Sequence, residues 1–407
     1  MATDTSQRRI VIVGGGIMGT STLYHLAHSP SLAPQTHISL VEAASSLAPA
    51  ASGRSGGFLA QDWHGAATAS IADLSYRLHR ELAEKDGGGE KWGWREVDTM
   101  SVRFDDSKSK ASNKLPSSLQ WVKAEHVTKA SNMGGGGTTA QVTPLPLVNH
   151  LAEEAEKKLK ERGRTFDLLL NNYAEKATIK DGRIESLDVE STSSGSDATL
   201  PCTDLILSAG PWMGQLVPSL FPRPFINSHR FLSSASHIDG SRAHSVVIRG
   251  SAPTSNHCLF TDMSFQSTKG GRQKAAAPEV YARADGTVYV CGGSDDVPLP
   301  RLASEVKHDS RKTADLLEQA AHLSPHVLDT TSGPKAGATV EKEQACYLPI
   351  AERSDFIVAG DKKSGVWVGG GGASCWGITM GLGTGKCVSE MVLDGTVKSA
   401  DVSMLQG

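Results

Sequence analysis

The sequence has no two cysteines close enough to act together. Its six, Cys202, Cys258, Cys291, Cys346, Cys375 and Cys387, are scattered along 407 residues. Without a C-x-x-C spacing, neither a zinc site nor a disulfide framework is expected, and no metal is assigned. Neither sign of charge is in excess: 41 Lys and Arg against 44 Asp and Glu leave −3. That removes the basic footprint on which nucleic-acid binding depends. Long runs of large apolar side chains are also missing. The uncharged stretch SGVWVGGGGASCWGITMGLGTG, residues 364–385, is too rich in glycine for a membrane span and reads as a loop entering a helix. There is no internal repeat, no signal-peptide pattern at the start and no organelle address in the final VSMLQG. A cytoplasmic protein without a membrane span is expected.

Glycine, by contrast, is abundant at 42 residues, and its placement carries information. In RRIVIVGGGIMGTSTLYHLA, residues 8–27, the β-branched run Ile10 to Val13 predicts a buried parallel strand. Gly14, Gly16 and Gly19 follow at G-x-G-x-x-G spacing, and Ile17, Thr20, Leu23, Tyr24 and Ala27 recur at helical intervals. In such a strand–turn–helix, Gly14 permits the turn, Gly16 lets backbone approach a pyrophosphate and Gly19 lets helix and strand pack closely. The helix N-terminus then presents N–H groups to phosphate. HISLVEA predicts the next strand, ending at Glu42, where an acid would bind ribose hydroxyls. A dinucleotide is indicated. NAD and FAD sites share this fingerprint.

Further along, a helix is predicted with apolar positions Ile71, Leu74, Leu78 and Leu82, and another from Thr143 to Gly163. A hairpin is expected at Asp181-Gly182, a buried strand at Leu205–Leu207 ending in Ser208-Ala209-Gly210, and a β-rich region from Phe225 to Gly293. FIVAG and GVWVGG read as strands and GTGKCVSEMVLDG as a closing helix. Nucleotide-binding signals therefore stand at the start, middle and end of the chain. The expected fold is α/β: a Rossmann-like binding domain in three pieces, 8–62, 140–215 and 345–400, interleaved with a mainly antiparallel β substrate domain, 63–139 and 216–344.

Taken together, these blocks resemble the D-amino-acid oxidase superfamily of FAD-dependent oxidoreductases, which includes sarcosine, glycine and fructosyl-amino-acid oxidases. IVIVGGGIMGTSTLYHLA is similar to that family's ADP-binding opening, ASGRSGG to its second glycine-rich loop and LILSAGPWMGQL to its middle strand. CYLPIAERSDFIVAG with GGGGASCWGITMGLGTGK is similar to its flavin-binding close. A NAD dehydrogenase would need neither later glycine block, so the resemblance selects FAD and a binding domain of the glutathione-reductase type. It implies Gly14, Gly15, Gly16, Ile17, Met18, Gly19, Glu42 and Ala43 for the ADP half. Ser52, Gly53, Arg54, Ser55, Gly56 and Gly57 fall to the pyrophosphate and flavin side, and Ala177 to an adenine contact. Ser208, Ala209 and Gly210 come from the middle strand, and Trp376, Gly377, Ile378 and Thr379 from the close, whose backbone N–H groups could face the flavin. Cys346 resembles in its spacing the cysteine through which the sarcosine-oxidase branch bonds its flavin, although LPIAERSDF departs from that branch downstream, so a covalent FAD and a buried free cysteine both stay open. Cys375 is a second candidate.

The implied reaction is oxidation of a C–N bond in a small amine or amino acid. Hydride passes to flavin N5, the imine hydrolyses, and oxygen restores the flavin with release of hydrogen peroxide. Pocket candidates are Tyr281, Arg283, Trp376 and Lys269, with Arg230, Trp63 and His64 behind them; an arginine would clamp a substrate carboxylate. Three other readings stay open. These are a flavin dehydrogenase with another electron acceptor, a protein that keeps FAD for a partner-binding role, and a NAD enzyme. Oligomeric state is left open by the sequence.

Overall fold

A computed structural model of the chain describes residues 7–109, 115–268, 270–330, 332, 337–351 and 356–407. The first strand, Arg9–Val13, lies in the middle of a six-stranded sheet. It pairs in parallel with His37–Glu42 on one side and Asp204–Leu207 on the other. Thr165–Leu170 extends one edge, Val366–Gly371 the other, and Ile357–Asp361 closes that edge antiparallel. The β-branched run is explained by burial on both faces. Ile10 and Ile12 enter a core shared with helices, while Val11 and Val13 enter a second core beneath the sheet. That lower core is covered by a three-stranded meander, 172–201, and by the helix Met213–Leu220.

On the helical face lie Ile17–His28, Ala69–Asp86, Pro144–Glu161 and the closing helix Gly377–Asp394. The closing helix starts six residues ahead of the expected GTGKC. Three glycines, each costing about 1 kcal/mol in a free helix, argue against helix locally, but tight packing overrides that preference. A Cβ on Gly381 would lie 2.4 Å from Ile17, one on Gly385 2.2 Å from Ser21, and one on Gly383 2.7 Å from the Ile71 carbonyl. The helix is thus wedged between Ile17–His28 and Ala69–Asp86.

A second, larger sheet runs in the order 339–351, 238–249, 287–295, 279–282, 257–266, 98–105, 127–134. Its pairings are antiparallel except between 257–266 and 98–105. The helix Ser310–Leu323 covers its outer face. Its inner face turns toward a small three-stranded sheet (58–60, 139–141, 95–96) and the first unit.

Three segments differ from expectation. Residues 223–235 form two short helices where strand was anticipated. Pro222 and Pro224 open the first, and Phe231, Leu232 and Ala235 bury a helical face against the lower core. The helix Ala69–Asp86 packs on the closing helix of the first unit. The strand Thr339–Ala351 stays in the second sheet past residue 345, paired with Ile238 at its last residue. Among the described residues, no helix is long and apolar enough to cross a membrane, and none of their His, Cys, Asp and Glu gather into a metal-binding group.

Candidate functional site

The glycine turn after the first strand is built by close approach. Gly14 has φ +110°, and a Cβ there would sit 2.4 Å from the Ser208 carbonyl oxygen. A Cβ on Gly19 would meet the Gly14 carbonyl at 1.9 Å, so only glycine lets the helix start beneath the turn. Glu42 reaches back from the second strand. Its Oε2 accepts from the Gly15 amide at 2.8 Å and its Oε1 from Ala44 at 2.9 Å. Burial pushes this carboxyl upward, against those amide bonds. A carboxylate has about four acceptor positions, so both oxygens retain capacity for hydroxyl donors. Ser52 closes the turn from the second glycine loop, its Oγ accepting from Ile17 N at 3.0 Å.

These groups open into one cleft lined along the glycine turn, the second glycine loop, the middle strand and the start of the closing helix. Gly14, Gly16, Ile17, Met18, Glu42, Ala43, Ser52, Ser55, Ser208, Ala209, Gly210, Gly377 and Ile378 line it. Gly15, Gly19, Gly53, Gly56 and Gly57 shape its walls from behind. Arg54 ties the loop to the Ala345 carbonyl at 2.8 Å, and Thr379 is bonded to the Phe58 carbonyl at 3.3 Å. Ala177 does not line the cleft. It faces the lower core, and Asn172, Tyr173 and Ala174, earlier on the same strand, take its place. Two observations fit a dinucleotide here. The Oγ atoms of Ser55 and Ser208 are buried without a hydrogen-bond partner, and both residues line the cleft. The glycine turn leaves backbone, not side chain, facing the same space.

Sequence reasoning missed several lining segments, 301–303 and 348–349 among them. Arg301 lies 4.4 Å from the Tyr173 ring and pairs with Glu175 and Glu190, so it bridges the second unit to the meander. Nothing local in the sequence marks that contact.

Where the cleft reaches Cys375 and Gly377, it meets the inner face of the larger sheet. Strand pairing sets two rows there. Phe260, Glu279 and Cys291 stand abreast, and Cys258, Tyr281 and Tyr289 form the next row. Arg283 follows Tyr281 on the same strand face, as alternation predicts. The Tyr281 hydroxyl donates to Glu279, and the Cys291 thiol lies 3.8 Å from the same carboxylate oxygen. Burial, then the Glu279 charge, push the Tyr281 phenol well upward. Arg283 donates to the Ser55 carbonyl at 3.0 Å, sits 5.2 Å from the Tyr289 ring, and keeps its buried Nε unpartnered. Glu279 was missed, though the alternation Glu279–Tyr281–Arg283 would have found it.

Aromatic rings complete this wall. Trp63 lies 5.5 Å from Phe260 and 6.3 Å from Trp376, and His64 lies 4.7 Å from Trp376. Cys346 is buried on the strand 339–351, separated from Cys291 and Tyr289 by the strand 238–249. Burial pushes its thiol up to about 11, against the pull of Arg54. Cys375 lines the cleft itself. Arg230 is exposed on a short helix against the lower core, away from the wall. Lys269 falls outside the described residues.

The DAO family pattern, described as FAD dependent oxidoreductase, matches residues 9–391. "Putative oxidoreductase C1F5.03c" of Schizosaccharomyces pombe is 37% identical over 408 residues, covering 98% of each chain. "Putative oxidoreductase TDA3" of Saccharomyces cerevisiae is 25% identical over 530 residues, covering 98% of this chain and 94% of that one. Among solved structures, glycine oxidase from Bacillus cereus superposes with a TM-score of 0.70 at 14% identity, covering 98% of both chains. L-proline dehydrogenase from P. horikoshii gives 0.69 at 15%, covering 98% of this chain and 96% of that one. The chain belongs to the DAO family and is an FAD-dependent oxidoreductase.

Proposed function

We propose that the enzyme oxidises a C–N bond of a small amine or amino acid at the junction of the cleft and the larger sheet, with oxygen as electron acceptor. The observation that carries this reading is the meeting of a cleft built on the glycine turn with a wall of Tyr281, Glu279, Phe260, Trp63 and Trp376. The residues from the glycine turn to Ser208–Gly210 would hold the ADP and pyrophosphate portions, and 374–378 the flavin end. Bound FAD supplies the two-electron acceptor. The chain's part is to hold the substrate carbon in reach and to exclude water; the aromatic wall does both. The substrate, its nitrogen deprotonated to the free amine, loses hydride from carbon and a proton from nitrogen and leaves as an imine, which water converts to carbonyl and free amine. Oxygen takes the two electrons with two protons and leaves as hydrogen peroxide.

The sheet memberships support a cofactor unit and a substrate unit interleaved along the chain. Cys346, buried and with a raised thiol, supports FAD held without a covalent bond. The six cysteines, all free, suit a cytoplasmic setting. A second reading, electron transfer to a carrier other than oxygen, is favoured by the proline dehydrogenase among the structural neighbours.

The test is an absorbance spectrum of the purified protein and of its filtrate after acid precipitation. A panel of amines and amino acids is then added without air. Flavin bands that move to the filtrate and bleach with a substrate, followed by stoichiometric peroxide on admitting air, are expected. Colour that stays in the precipitate would assign Cys346 a covalent bond. Bleaching without peroxide would select the carrier reading, and a panel that never bleaches the flavin would overturn C–N oxidation.

A further inference from the structure

We propose that the substrate is recognised through its ammonium group, by Glu279 and the half-open rings around it, and that the enzyme prefers amines without a carboxylate over amino acids. The inference rests on the C–N oxidation reading and narrows its substrate class.

The two rows of the wall are unequally covered. A Cβ on Gly56 would lie 2.4 Å from the Tyr281 ring and 2.9 Å from that of Tyr289, so the second glycine loop lies directly on that row. Arg283 is bound to the same loop, through the Ser55 carbonyl. The row of Phe260, Glu279 and Cys291 is left half-buried, as are Trp63 and Trp376 beside it. The open part of the wall is therefore one carboxylate among aromatic rings.

Its charge is unbalanced. Glu279 takes a phenol and a thiol on one oxygen, and among the described residues no cation pairs with it. Its field reaches the cleft, where it adds to burial in raising the Cys375 thiol. The guanidinium groups nearest the wall each hold a backbone carbonyl, Arg54 that of Ala345, Arg95 that of Ala282 and Arg283 that of Ser55, and none of them is bonded to Glu279, although Arg95 and Arg283 keep a buried Nε without a partner. A half-buried carboxylate repels a second carboxylate and attracts a cation. Aromatic faces within about 6 Å add to that attraction. An ammonium placed there gains a charge-assisted hydrogen bond and ring contacts at once.

The experiment uses the FAD-loaded protein and two probes of similar shape, benzamidinium, a cation with N–H donors and no oxidisable carbon beside its nitrogen, and benzoate. Binding is read from the perturbed flavin spectrum and from thermal shift, so no turnover is needed. The cation is expected to bind about tenfold or more tighter than benzoate, the scale of one charge-assisted contact with ring support. Glu279→Gln should remove that preference while FAD content stays the same, and Glu279→Asp should keep part of it. Tighter binding of benzoate, especially if lost in Arg283→Lys, would overturn the proposal and return the site to a carboxylate clamp. Equal binding, or none of either probe, would overturn it as well. The wild-type preference is decisive even if a variant does not fold. Cation binding with no bleaching by any amine would remove the oxidation reading alone; bleaching by amino acids with no cation binding would remove this inference alone.

Discussion

At Gly14 and Gly19 a methyl group has nowhere to go, because the atoms it would meet are backbone carbonyls held in sheet and helix. Gly14→Ala combines a left-handed φ with a 2.4 Å approach. It should leave a protein purified without FAD, read as loss of the visible flavin absorbance relative to protein absorbance. Ser52→Ala is milder. It removes the acceptor for the Ile17 amide, should cost about 1 kcal/mol in a denaturant titration, and should weaken FAD retention. This scale was also the most legible in the sequence. G-x-G-x-x-G, Glu42 and the ASGRSGG loop are local patterns whose spacing reflects contacts within one βαβ unit. Ala177 and the missed Asn172–Ala174 show the limit. Which residue of a strand meets the cleft depends on where the meander starts under the sheet, and that is set by distant packing.

Three helices set the acid response. His79, on Ala69–Asp86, donates Nε2–H to the Ile378 carbonyl at 2.9 Å, in the first turn of the closing helix. Burial lowers its imidazole to about 4. His25, on Ile17–His28, is lowered to about 3, by burial and then by Lys386. A depressed value in the folded state means that the native protein binds fewer protons than the unfolded chain. The stability tied to neutral imidazole is whole above the unfolded value of 6.5 and is lost as pH falls toward 4. Each such group contributes a slope of at most about 1.4 kcal/mol per pH unit in that window. Urea midpoints should therefore fall between pH 6.5 and 4.5, and His79→Gln, which keeps a donor for Ile378, should flatten part of the fall. None of this is visible in sequence. A lone histidine on an amphipathic helix gives no sign of which helix will bury it, and the early start of the closing helix was hidden by its own glycines.

For the whole molecule, the interleaving was legible because nucleotide-type blocks recur at the start, middle and end. The placement of Ala69–Asp86 was not, since its apolar stripe fits either unit equally well. Because both sheets are stitched together by several crossings, heat should unfold the chain in one transition and not two. Added FAD should raise its midpoint. Free FAD at a hundred times its dissociation constant contributes about 2.7 kcal/mol, or roughly 3 °C for a chain of this size. Two resolved calorimetric transitions, or a midpoint indifferent to FAD, would contradict that picture.

The cleft draws on residues from 13 to 378, and that has a consequence for how the protein is made. A ribosome adds roughly 5–20 residues per second, so the opening turn waits on the order of 20–70 s for the loop that completes its site. Throughout that interval the nascent chain carries a phosphate-binding turn with no opposite wall. The cofactor meets a finished cleft and not a growing one. Supply of FAD at the end of synthesis, and the helpers that shelter half-made sheets until then, become the determinants of yield.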